Sequence, residues 1–148
     1  ESCPSRRFQF GAGDMDLNLP QYRKAREIID SGELGEVRSI TFTGGSGTEM
    51  SGGGCQQLSL MRLFAGDANV AWVIGWVADD PISDHDQGGA GYVRFASGVE
   101  AFMHREADAR GCGFEVSCTH GVFRSSAGFL DLWKAEEGVD RPTCVDLQ

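Results

Sequence analysis

Positive charge is scarce in this chain, and so are long apolar runs. Of its 148 residues only 13 are Lys or Arg against 22 Asp or Glu, for a formal net charge of -9. Affinity for phosphate backbones depends on clustered cations. The basic residues, such as Arg6-Arg7 and Arg23-Lys24-Arg26, are scattered, so neither a nucleic acid nor an acidic membrane surface is expected as a partner. Apolar stretches such as Val70 to Ala78 fall far short of the ~20 residues a spanning helix needs, and the N-terminus lacks the apolar core of a signal peptide. The five cysteines, Cys3, Cys55, Cys112, Cys118 and Cys144, are odd in number, widely spaced and without a Cys-x-x-Cys pair. That excludes a disulfide framework and a zinc site, and it fits a reducing cytoplasm. No internal repeat is visible. A chain of this length reads as one domain, able to bury roughly two thirds of its unfolded surface without staples.

What is present begins with a well-punctuated helix. Asn18 is a candidate cap and Pro20 pre-sets the first turn. Tyr22, Ala25, Ile28 and Ile29 share one face while Arg23, Lys24, Arg26 and Glu27 cover the other. Gly32 supplies a left-handed end, Leu34 folds back, and Gly35 releases the chain into a strand over residues 36–42 whose strongest apolar positions are Val37, Ile40 and Phe42. Residues 43–54 turn to Gly, Ser and Thr and read as a flexible loop. A second helix follows over Gln56 to Phe64, apolar on more than half its circumference and therefore well buried.

After Gly66-Asp67 the period changes to two. Val70, Trp72, Ile74 and Trp76 alternate with Ala71, Val73, Gly75 and Val77, and both rows are apolar, so both faces of this strand are expected to be covered, one by helices and one by a partner or neighbouring domain. Two hairpins come next, residues 88–96 with 99–107 turning at Ser97-Gly98, and 113–119 with 122–125 turning at His120-Gly121. A last strand or two runs over 128–135, and the tail reads as peripheral. The sum is an α+β domain: a mainly antiparallel, mixed sheet with helices packed on one face.

The wording of these elements carries a resemblance. Leu19-Pro20-x-Tyr22-x-x-Ala25-x-x-Ile28-Ile29-x-x-Gly32-x-Leu34-Gly35-Glu36-Val37 resembles the opening of the C-terminal domain in the glucose-fructose oxidoreductase / inositol dehydrogenase (Gfo/Idh/MocA) family. Gly52-Gly53-Gly54 with the helix ending Arg62-Leu63-Phe64-Ala65-Gly66-Asp67 is similar to its glycine turn and helix. The two hairpins, Tyr92 to Ala101 and Phe114 to Phe123, are similar to its own, and the pieces occur in the family's order over roughly residues 17 to 135. The resemblance implies a dihydrodipicolinate-reductase-like C-terminal domain. It assigns residues 1–16 to a linker or edge segment from an upstream domain and residues 17–148 to a substrate-side and oligomerisation domain. It further implies an upstream Rossmann partner absent from this chain, with NAD or NADP bound by the full-length parent and none by this domain alone. A small-molecule substrate (a sugar, polyol or related hydroxylated compound) and a homo-oligomer formed through the open sheet face complete the expectation. A chain that opens on Glu1 without an initiator Met reads as a fragment or processed product, inactive alone.

Few residues present themselves for chemistry. The family's proton-transferring His and Asp around the second helix have no counterpart: the histidine position falls at or near Gln56, and an amide exchanges no proton near neutral pH. Gln56, Gln57 and Ser59 are the candidate substrate-binding residues, able to hydrogen-bond a hydroxylated ligand; surface amides at a helix start explain them equally well. No catalytic, cofactor-binding or metal-binding residue is assigned. The alternative function is a catalytically silent binding or assembly module. Gly11-Ala12-Gly13 fails as a dinucleotide loop because position 16 is Asp16 and acidic residues follow. Asp84-His85-Asp86 reads as a solvated loop, since neighbours on an extended segment point apart. His104 and His120 are isolated. Trp72, Trp76, Phe102, Phe114, Phe129 and Trp133 are candidates for core, a sugar site or an interface.

Overall fold

The computed structural model describes residues 16–44, 50–77, 80, 82, 88–105, 112–126, 129–135 and 143–145. The proposed linker, Gly11-Ala12-Gly13 and Asp84-His85-Asp86 lie outside them. Helix α1 spans Pro20–Ser31, with proline in its first turn and Gly32 at φ 69° accepting the left-handed C-cap. Its N-cap is Leu19, which makes no side-chain cap; Asn18 is instead taken up in a short 3-10 turn over Asp16–Asn18. Tyr22, Ala25 and Ile28 are buried, as the helical spacing predicts.

Strand β1 (Val37–Gly44) leads, after an irregular turn over Met50–Gly54 kinked at Gly52, to helix α2 (Cys55–Phe64). Six further strands follow: β2 (Val70–Val77), β3 (Gly89–Phe95), β4 (Glu100–Arg105), β5 (Cys112–Cys118), β6 (Gly121–Ser126) and β7 (Phe129–Lys134). The tail expected to be peripheral supplies a short edge strand, β8 (Thr143–Val145), which pairs antiparallel with β7. The second hairpin turns at Thr119-His120, one residue earlier than expected, because Thr119 N–H and His120 N–H are taken by the carbonyls of Glu36 and Leu34.

All eight strands join in one sheet of order β2-β3-β4-β1-β5-β6-β7-β8. Every pairing is antiparallel except β1 with β4, where Ser39 faces Glu100 and Thr43 faces His104. Both helices pack on the same side. Phe64 of α2 meets Phe42, Phe114 and Phe123 of the sheet, and Tyr22 of α1 meets Phe114. Arg26 of α1 donates to the Leu63 carbonyl of α2 and ties the helices together. The core therefore sits over the middle strands, with Ile40, Leu60, Val116, Phe123 and Leu130 fully enclosed. On the helix side β2 departs from expectation: all eight of its residues are exposed, Val73 at 65%, because it is an edge strand that the two helices do not cover.

Candidate functional site

Strands β1 and β4 end side by side beneath the Met50–Gly54 turn, and a polar corner forms there. Gln57 lies on the inward face of α2, 5% exposed, and its Nε2 donates to the Gly44 carbonyl at 3.0 Å. Its Oε1 is buried and, among the described residues, accepts no hydrogen bond. A buried amide oxygen left in that state costs about 1–3 kcal/mol, which marks the corner as a place where a donor would stabilise the fold. Arg105, closing β4, is 3% exposed, and its guanidinium lies against the turn: a Cβ on Gly53 would stand 2.6 Å from Nη2. A side chain at position 53 would displace the guanidinium, so this glycine lets Arg105 pack against the turn.

Beside this corner an open groove of about 400 Å³ runs between α2 and the β2–β3 ribbon. Gly75, Gly89 and Gly91 lie along its floor, with Gly75 opposite Gly91 and Gly89 opposite Val77. Met50, Leu58, Val73, Val77 and Met103 supply its walls. Bare backbone below and aliphatic side chains around it suit the apolar face of a ring, within the volume range of small-molecule sites. Helix α2, with sequence CQQLSLMRLF, carries no Asp, Glu, His or Lys, so its amides and Ser59 can position a ligand, and its one ionisable group apart from Arg62 is the exposed Cys55 thiol.

Of the three residues singled out in the sequence, only Gln57 reaches the corner. Gln56 is half-buried and Ser59 exposed on other sides of α2, so the three do not converge. Arg105 was not foreseen. An arginine closing a strand ahead of a polar stretch reads as a solvated charge, and the one available signal was the triple glycine, which marks a close approach without naming what approaches. His104 stacks on Phe102 on the sheet's other face, and His120 sits in the hairpin turn. No cluster of three or more His, Cys, Asp or Glu able to hold a metal occurs among the described residues.

The face turned away from the helices is in two halves. Over β2, β3 and β4 it is aromatic: Trp72 stacks on Tyr92, and Trp76, 57% exposed, approaches Phe102. Desolvation first, and then the hydrogen bond to Glu100, hold the Tyr92 phenol above its ordinary pKa. Over β5, β6 and β7 the face is charged, with Glu115, Arg124 and Asp131 directly opposite one another across three strands. At the end of β5, burial pushes the Cys118 thiol up to about 11, whereas Cys55 is exposed. No helix among the described residues is long and apolar enough to cross a membrane.

This arrangement of sheet and helices is the fold of a class of solved oxidoreductases. An oxidoreductase from Pseudomonas syringae superposes with a TM-score of 0.71 at 14% identity, over 88% of this chain and 40% of its own. Levoglucosan dehydrogenase in complex with NADH gives 0.71 at 16% identity, over 88% and 44%. The WlbA dehydrogenase from Bordetella pertussis, in complex with NADH and UDP-GlcNAcA, gives 0.67 at 13% identity, over 81% and 44%. The chain thus spans less than half the length of the structures it resembles. No protein-family model matches the sequence, and no curated protein sequence does.

Proposed function

We propose that this chain is the substrate-side and oligomerisation domain of a cytoplasmic NAD(P)-dependent oxidoreductase of the Gfo/Idh/MocA family, with the dihydrodipicolinate-reductase-like sheet that this family's C-terminal half would carry. The observation that carries the reading is the superposition of most of the chain onto under half of each oxidoreductase, two of them solved with NADH. A Rossmann domain joined to residues 17–148 would then hold NAD or NADP. The residues present here do not fit a dinucleotide. The groove is apolar, and its lining holds no cationic side chain for a pyrophosphate. Hydride transfer and proton exchange would fall to the other domain, and this one alone is inactive.

Its own contribution is positioning. The glycine-floored groove takes the C–H face of a sugar or polyol, and the corner beside it offers the Gln57 Oε1 acceptor to a substrate hydroxyl. Gln56 and Ser59, nearer the surface of α2, are left as second-rank contacts. Pairing of two copies through the aromatic half of the open face would cover Trp72, Ile74 and Trp76.

One observation favours a second reading. With no His or Asp on α2, the domain fits a catalytically silent binding or assembly module equally well in chemistry. The test compares the 148-residue chain with the product of its entire reading frame, assaying dinucleotide binding and nicotinamide reduction with a panel of sugars and polyols and either cofactor. The oxidoreductase reading expects turnover by the full product and none by the chain alone. Dinucleotide binding without turnover on any substrate selects the silent module, and a full product that binds no dinucleotide overturns both.

A further inference from the structure

On the charged half of the open face, over β5, β6 and β7, a depression of about 310 Å³ is lined by Glu115, Val122, Arg124, Asp131 and Trp133. Register builds it: Glu115 faces Arg124, which faces Asp131, while Val122 faces Trp133 on the same side. Strands lie about 4.8 Å apart, so the three polar groups form a row roughly 10 Å long with an indole beside it. Cross-strand charges in such register ordinarily close on one another. Here the pairing is slack. Arg124 Nε is ion-paired with Asp131 Oδ2 at 3.9 Å, beyond hydrogen-bond reach, and among the described residues the side chains of Glu115 and Arg124 form no hydrogen bond. These solvent-facing acceptors and donors line a concavity beside Trp133, which is 37% exposed.

We propose that this depression binds a neutral sugar ring, as a site separate from the helix-side groove and independent of the oxidoreductase reading. The order of charges selects the ligand. Two carboxylates repel a phosphate or a sugar acid, and the guanidinium between them repels an ammonium. A row of acceptor, donor and acceptor is complementary to neighbouring hydroxyls, each of which donates and accepts. Val122 and the Trp133 indole take the ring's C–H face. A volume near the lower limit of small-molecule sites fits one ring better than a chain of them.

The test follows the three indole N–H signals of the isotope-labelled protein by NMR while methyl glucoside, methyl galactoside or methyl mannoside is added. At least one glycoside is expected to shift the Trp133 signal saturably and leave Trp72 and Trp76 in place. Trp133→Ala should weaken binding about tenfold, scored on the Arg124 Nε–H signal. Arg124→Met should do the same on the Trp133 signal, with unmoved Trp72 and Trp76 signals reporting an intact fold in both variants. The proposal is overturned if no glycoside moves Trp133, if inorganic phosphate moves it further than any glycoside, or if the shifts track protein concentration and so report a second copy on this face.

Discussion

Gly121 opens β6 at a point where the backbone of β7 passes too closely for any side chain. A Cβ there would press into the Trp133 carbonyl and stand 2.8 Å from Leu34 Cδ2. Gly121→Ala is expected to destabilise by about 3 kcal/mol, the upper end for overpacking, because the obstacle is backbone. Gly98→Ala, at φ 90° with open space around it, should cost about 1 kcal/mol from conformation alone. Urea unfolding of the two variants separates steric from conformational cost, and equal losses would contradict the reading. Cys118 carries a pH dependence of its own. Burial raises its thiol from 9.0 to about 11, so the folded state keeps the proton after the unfolded state has lost it. Its stabilising contribution is complete below pH ~9 and is lost as pH rises toward ~11. Stability of the wild type should therefore fall more steeply over that interval than that of Cys118→Ala; parallel unfolding curves would count against it. Residue by residue, the sequence disclosed the glycines and hid their neighbours. Gly52-Gly53-Gly54 was visible as a close approach, but the Arg105 that fills it comes from a strand about 50 residues away, beyond the reach of local patterns.

At the scale of elements, punctuation made the fold readable. Proline and glycine bracket α1, and Ser97-Gly98 marks its hairpin, because these positions need backbone geometry that few residues supply. β8 escaped for the opposite reason: three residues are too short for alternation to register, and only β7 holds them in place. β2 was legible in its pattern and misread in its surroundings. Two apolar rows imply cover on both faces, one of them by helices, whereas among the described residues neither helix covers β2. An uncharged, apolar edge strand without proline is prone to association. Ile74→Lys should leave unfolding free energy within about 0.5 kcal/mol, since the position is already exposed, while abolishing concentration-dependent association in sedimentation velocity. An unchanged oligomer distribution would move the interface elsewhere.

For the molecule as a whole, protection from solvent should follow position in the sheet. β1, β4 and β5 lie inside it, whereas β2 and β8 hold its edges. In native-state hydrogen exchange the amides of β1 and β5 are expected to open only with global unfolding, and those of β2 and β8 at a small fraction of that free energy. Uniform protection across the eight strands would refute this gradient. The overall architecture was within reach of the sequence because helices precede a run of hairpins. The candidate site was less so, since the groove floor and its polar corner are assembled from β1, β2, β3, β4 and α2 together, and no single window contains them.

The lone parallel pairing sets a timetable for synthesis. β1 leaves the ribosome well before its neighbours β4 and β5, which are translated about 60 residues or more behind it, a delay of roughly 3 to 12 s at about 5–20 residues per second. During that interval the future centre of the sheet is a nascent strand with both edges bare, and α1 and α2, which pack on one side of the sheet, are already available to shelter it.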